Sequence, residues 1–240
     1  METIPVWASA KEALYLPVGY FRQFFRFAFE PMLLVYVAQI LSGVLAARWG
    51  HNFFYGLWWF PYTILTVPFF ISWTRLVVLG LDSNADRGWH TFRRKEFKYL
   101  SVSLAIAVLF FGPPALFFYL AYSMEWAAAP LILACIILIV EIALGLRFTF
   151  LLPAIAVDSY RGLKTAWTQT RSVVLRIMAV IFLSVLPINC GTAILHEIER
   201  AAADQPSLVL VLGTADVFLL FLSGAVTAGA IAVSYRFRME

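Results

Sequence analysis

Uninterrupted apolar runs separated by short polar segments dominate this chain of 240 residues, and they set its architecture. A helix rising about 1.5 Å per residue needs roughly 20 apolar residues to cross the hydrocarbon core of a bilayer. Six runs approach or exceed that length, at about 31–48, 54–81, 99–122, 127–157, 173–195 and 207–235. The pattern predicts an all-α, polytopic membrane helix bundle with six transmembrane helices. The connections between runs are too short to fold alone, so residues 1–240 read as a single integral membrane domain.

The segments flanking the runs have their own periodicity. Leu14, Val18, Phe21, Phe25 and Ala28 recur at helical spacing while Arg22, Gln23 and Arg26 face elsewhere. That pattern predicts an interfacial amphipathic helix over 11–29, with Pro17 limiting its start. Between the fourth and fifth spans, Leu163, Ala166, Trp167, Thr170 and Val174 form one face, opposed by Lys164, Thr168, Gln169 and Arg171. The stretch from Trp89 to Leu100 repeats the pattern less cleanly.

Charge then orients the bundle. Threaded through six spans, 16 of the 18 Lys and Arg residues fall on one side, leaving only Arg48 and Arg200 on the other. The positive-inside bias makes the first side cytoplasmic, together with both termini. The sequence pI of about 9.2 reports this asymmetry and not nucleic-acid binding. A chain that is 62% hydrophobic and 13% charged, with mean hydropathy +0.84, has no use for that surface in water. The first 30 residues lack the short apolar core and small-residue site of a cleaved signal. The expected location is the bacterial cytoplasmic (inner) membrane.

An ungapped shift of 74 residues superposes Arg87, Gly88, Thr91, Ala105, Leu109 and Pro113 on Arg161, Gly162, Thr165, Ala179, Leu183 and Pro187. The spans before the two copies carry Arg75 and Arg147 near the inner end, and the sixth span carries Arg236. A repeating unit of interfacial helix, outward span and inward span, used three times, accounts for this.

The run from Arg147 to Phe182, RFTFLLPAIAVDSYRGLKTAWTQTRSVVLRIMAVIF, resembles a recurring signature of two related groups. These are the membrane domains attached to some glycerophosphoryl diester phosphodiesterases and their stand-alone YciC-like relatives. An Arg closes a span, a Leu-Pro-Ala stretch leads to an acidic residue and a Gly, and an Ala-Trp-x-x-Thr-Arg helix enters the next span. Here those positions are Arg147, Pro153, Ala154, Asp158, Gly162, Ala166, Trp167, Thr170 and Arg171. The resemblance implies a membrane fold; no hydrolase domain accompanies it, so it implies no phosphodiesterase activity.

Two sets of residues carry the functional expectations. The first is an interfacial headgroup or partner site at Arg75, Arg147, Asp158, Arg161, Trp167 and Arg171, where the alternative is a rigid turn from span to surface helix. In that turn Pro153 bends the span, Arg147 caps carbonyls or snorkels, Asp158 caps the following helix and Trp167 sits at headgroup depth. The second set is the buried polar residues Glu141, Asp216, Asn189 and Gln39, read either as interhelical clamps or as a proton or cation relay. Helix breaks at Gly112, Pro113, Pro114 and Pro187 favour a cavity.

Catalytic motifs are missing from the sequence: no HExxH zinc spacing, no Walker loop, no nucleophile elbow and no paired Asp motifs for magnesium. The outer group His196, Glu197, Glu199 and Asp204 reads as a solvated face in preference to a weak cation site. Cys135 and Cys190 fall inside spans and read as small apolar residues. No cofactor and no metal is expected. The leading expectation is therefore a lipid- or partner-interacting integral component without chemistry of its own. Its partners are anionic headgroups on the cytoplasmic side, together with a membrane-protein partner or a second copy joined through the small residues of the sixth span, Ser223 to Gly229. A small transporter using the buried carboxylates is second, and a membrane-embedded lipid-modifying enzyme third.

Overall fold

The computed structural model describes residues 4–49, 59–80, 94–110, 144–160, 162–202 and 204–239. Among them lie eight helices and no strand: α1 Val6–Gly19, α2 Phe21–Trp49, α3 Trp59–Leu79, α4 Arg94–Phe110, α5 Leu151–Ala156, α6 Leu163–Thr170, α7 Val174–Ala201 and α8 Pro206–Met239. Four helical stretches are long and apolar enough to cross a membrane: Phe21–Trp49, Tyr62–Leu79, Val174–Ala201 and Leu210–Arg238.

α8 occupies the middle, with α1, α2, α3 and α7 packed around it, while α4 and α5 pack against α3 and each other. The sequence permits this because α8 is small where its neighbours are large. A Cβ on Gly224 would stand 2.9 Å from the Phe70 ring of α3, so only glycine lets that ring lie so close to the helix. Trp73, fully buried, donates its indole N–H to the Ala225 carbonyl at 2.8 Å. Phe24 of α2 meets Trp73 and Phe69 edge-on, at 5.8 Å and 6.0 Å between centroids. Edge-to-face contacts of this kind add to the area that the rings bury. Small residues of the sixth span, Gly224 and Ala225 among them, are thus used inside the chain.

The amphipathic segment predicted over 11–29 is divided differently. The chain breaks at Tyr20, not near Pro31, so residues 21–29 are the first turns of the continuous helix α2. Pro31 lies within that helix and Pro17 within α1. Proline removes one amide donor without forbidding helical φ, and a long helix tolerates the gap where neighbours or a bilayer hold it. α1 itself packs Ala10, Ala13 and Leu16 inward, against α7 and α8.

Pro153 has a clear local effect. It cannot donate to Thr149, and the chain ahead of it tightens into three-residue hydrogen bonds, from the Arg147 amide to Leu144 through the Leu152 amide to Thr149. The span entering α5 is overwound there. Of the helix breaks expected from sequence, Pro187 lies within a continuous α7, while Gly112, Pro113 and Pro114 lie outside the described residues.

Candidate functional site

The end of α5 shows how the sequence builds the site. Ser159 N–H donates to Ala154 at 2.8 Å and Asp158 N–H to Ile155 at 3.3 Å, with Asp158 at φ 61°. This is the Schellman pattern of helix termination, with aspartate in the left-handed position where glycine is usual. Aspartate is among the few residues that tolerate it. Its carboxylate is thereby turned back across the bundle, where it accepts from Arg75 Nη1 at 3.1 Å and Lys95 Nζ at 2.5 Å. Burial opposes ionisation of Asp158, but the hydrogen bonds and charges of Lys95 and Arg75 outweigh it and hold the carboxyl below its usual value.

Asp158 therefore does not cap the helix that follows. The N-cap of α6 is Gly162, at φ 98° and ψ 171°, and no side chain bonds to it. That backbone conformation belongs to glycine alone.

Around this clasp, cations satisfy helix ends. Arg75 Nη1 also donates to the Ala156 carbonyl at 2.8 Å, while its buried Nε has no hydrogen-bond partner among the described residues. Arg236 donates to Val77 at 3.4 Å and to Glu12 at 2.6 Å, and Arg238 Nε donates to Gln169 at 3.2 Å. The Arg147 guanidinium sits 4.3 Å from the centroid of the Trp167 ring, a cation–π contact. Lys98 Nζ stands 3.4 Å over Tyr160. Thr170, buried, donates to the Arg147 carbonyl at 3.1 Å. The structure thus brings Arg75 and Asp158 together, and Arg147 and Trp167 together, at one end of the bundle. Arg171 is exposed and Arg161 lies outside the described residues.

The buried polar set is scattered. Asp216 pairs with His196 at 3.2 Å, toward the other end of the α7–α8 hairpin, where Arg200 also meets Glu197 at 2.6 Å. Asn189 and Cys190 face outward, whereas the Gln39 Oε1 is buried without a hydrogen-bond partner among the described residues. Glu141 and Cys135 lie outside the described residues. Among the described residues no cluster of His, Cys, Asp and Glu has the makings of a metal site.

Sequence reasoning missed a cavity of about 390 Å³ between α3, α4, α5 and α8. Eight of the sixteen residues that line it carry a hydroxyl, including Tyr62, Thr66, Thr74, Tyr99, Ser103 and Thr227, although most of the exposed wall is apolar. A signal existed: 62, 66 and 74, 99 and 103, and 223 and 227 are separated by multiples of four, which on a helix makes one face. One end of it abuts the clasp, since Thr74 precedes Arg75 and Pro153 lies five residues before Asp158.

No family model matches this chain, and no curated protein or solved structure matches it.

Proposed function

We propose that this protein is a six-span component of the bacterial inner membrane, with both termini cytoplasmic, which acts without chemistry of its own by engaging anionic lipid headgroups at its basic end. The observation that carries this reading is the convergence of Arg75, Lys95, Lys98, Arg147, Arg236 and Arg238 on one end of an otherwise apolar bundle, beside Trp167. Basic residues near an anionic leaflet gain about 1 kcal/mol each, and Trp favours headgroup depth. Several of these cations are held by carbonyls or rings, and those contacts leave part of each cationic group's donor capacity for phosphate.

The six-span count rests on the four long helices together with the runs at 99–122 and 127–157, of which α4 and residues 144–156 are the described parts. Two of the three proposed units pack alike: α2 lies against α3 and α8, and α4 against α5 and α3, so each of these two touches its successor and an earlier or terminal inward span. α7 departs from the pattern where α1 takes the second place. The resemblance to the phosphodiesterase membrane domains belongs to the same proposal and rests on Arg147 to Arg171.

The test is native mass spectrometry of the full chain from nanodiscs containing equal phosphatidylglycerol and phosphatidylcholine. Retained phosphatidylglycerol that falls when Arg147 and Arg171 are both replaced by Ala supports the reading. Indifference to headgroup charge, with a stoichiometric protein co-purifying instead, would replace lipid by a protein partner.

A further inference from the structure

The basic rim leaves the cavity unexplained, and the chemistry of its wall restricts what enters. Thr66 donates its hydroxyl proton to Tyr62 at 2.7 Å, Thr227 to Ser223 at 2.8 Å and Ser103 to Leu100 at 3.2 Å. A hydroxyl whose proton is committed to a helix carbonyl still offers its oxygen lone pairs. These three hydroxyls therefore accept hydrogen bonds and give none.

Charge narrows the choice further. Among the described residues, no Lys, Arg, His, Asp or Glu lines the cavity. An ionic ligand would be stripped of water without a counter-charge, which costs far more than hydroxyl contacts return. Most of the wall is apolar, with Val67, Phe70, Leu220 and Ile231 prominent. A free polyol carries donors all round and would strand several against that apolar surface.

We infer that this cavity binds a neutral, hydroxyl-bearing amphiphile, a lipid alcohol of the diacylglycerol type, whose single hydroxyl donates its proton to the Thr227 oxygen and whose glyceryl and first chain carbons lie against the apolar part of the wall. A volume of about 390 Å³ holds such a head region and not the full chains, which leave by the open side of the cavity. The site is independent of the headgroup rim: it stands on hydroxyls, and the rim stands on cations.

The experiment uses the full chain in phosphatidylcholine nanodiscs with a photoreactive dioleoylglycerol as probe. Peptides from α3, α4 and α8 that line the cavity should be labelled above the level of the lipid-facing surface of α7. Thr227→Val, which keeps shape and removes an acceptor, should lower labelling about two- to tenfold, the effect of one lost hydrogen bond. Ser103→Phe should abolish it by filling the space; should that substitution collapse the melting transition, the Thr227→Val result decides, and unchanged labelling there overturns the inference. Equal labelling by the 3-O-acetyl analogue, which has no hydroxyl to donate, overturns it as well. Displacement of the probe by glycerol overturns it in favour of a polyol site, and displacement by phosphatidic acid at equal concentration in favour of an anionic one. Replacement of Arg147 and Arg171 by Ala should leave labelling unchanged; a parallel loss would assign binding to the rim.

Discussion

Helices α2 and α3 have nearly the same mean hydropathy, 1.6 and 1.5, yet 22% of the first and 56% of the second lies buried in their apolar windows. The same contrast recurs for α7 and α8, both at 2.1 and buried to 22% and 56%. Hydropathy therefore finds the helices without saying which stand at the centre. In a bilayer both the interior and the lipid-facing side of a helix are apolar, so the information lies in size and shape. α8 supplies small residues and α3 supplies the aromatic rings that fill against them, while α2 and α7 turn Leu33, Val37, Leu41 and Leu175, Phe182, Ile194 outward.

The sharpest way to break this comparison is to truncate matched large residues at centre and rim. Trp73→Ala removes a fully buried ring and its bond to Ala225, and should cost about 3–5 kcal/mol in thermal or denaturant unfolding of the detergent-solubilised protein. Phe182→Ala on α7 belongs at the other end of the scale. Next in size is Gly224→Leu, which drives a side chain into the Phe70 ring and should destabilise by about 1–3 kcal/mol. The same change at Gly191 of α7, where a Cβ meets nothing within 4 Å, should not.

Arg75→Ala should follow, at about 1–3 kcal/mol, because it withdraws the donor to the buried Ala156 carbonyl as well as a partner of Asp158. Asp158 sharpens the point through pH. Its carboxyl is held below the ordinary value of 3.8, so the clasp contributes fully above that value and is lost as pH falls through the lower, folded one. Melting temperature measured from about pH 6 down to about pH 3 should show this loss as one small component, missing from Asp158→Asn. Asp158→Gly keeps the left-handed turn and removes the charge, which separates backbone from ion pair. The smallest effect is expected for Phe182→Ala, within about 0.5 kcal/mol, since that ring is already exposed.

The same contrasts explain which features are legible in the sequence. The long helices are legible because a membrane span is a run of about 20 apolar residues. The rim is legible in its parts: Arg147, Asp158, Trp167 and Arg75 stand out by type and position. Their pairing is not, because Arg75 and Asp158 are 83 residues apart and only the folded chain joins them. The place of Asp158 before α6 suggests a cap for that helix; the Schellman turn points its carboxylate elsewhere. The break at Tyr20 is hidden because Pro31 is the louder signal, although proline inside a membrane helix need not interrupt it. The cavity is hidden because Thr and Ser within apolar runs look neutral until their four-residue spacing is set on a helix.

The clasp also dates itself in the life of the chain. Lys95 precedes Asp158 by 63 residues and Arg75 by 83, so both cations leave the ribosome long before their counter-ion exists. At a synthesis rate of about 5–20 residues per second, several seconds separate the emergence of Arg75 from that of Asp158. During that interval the two cations on α3 and α4 have no Asp158 carboxylate to bridge them. The arrival of Asp158 is thus the event that lets the ion-pair link between α3, α4 and the end of α5 close, and that link is made only after the first half of the chain has been synthesised.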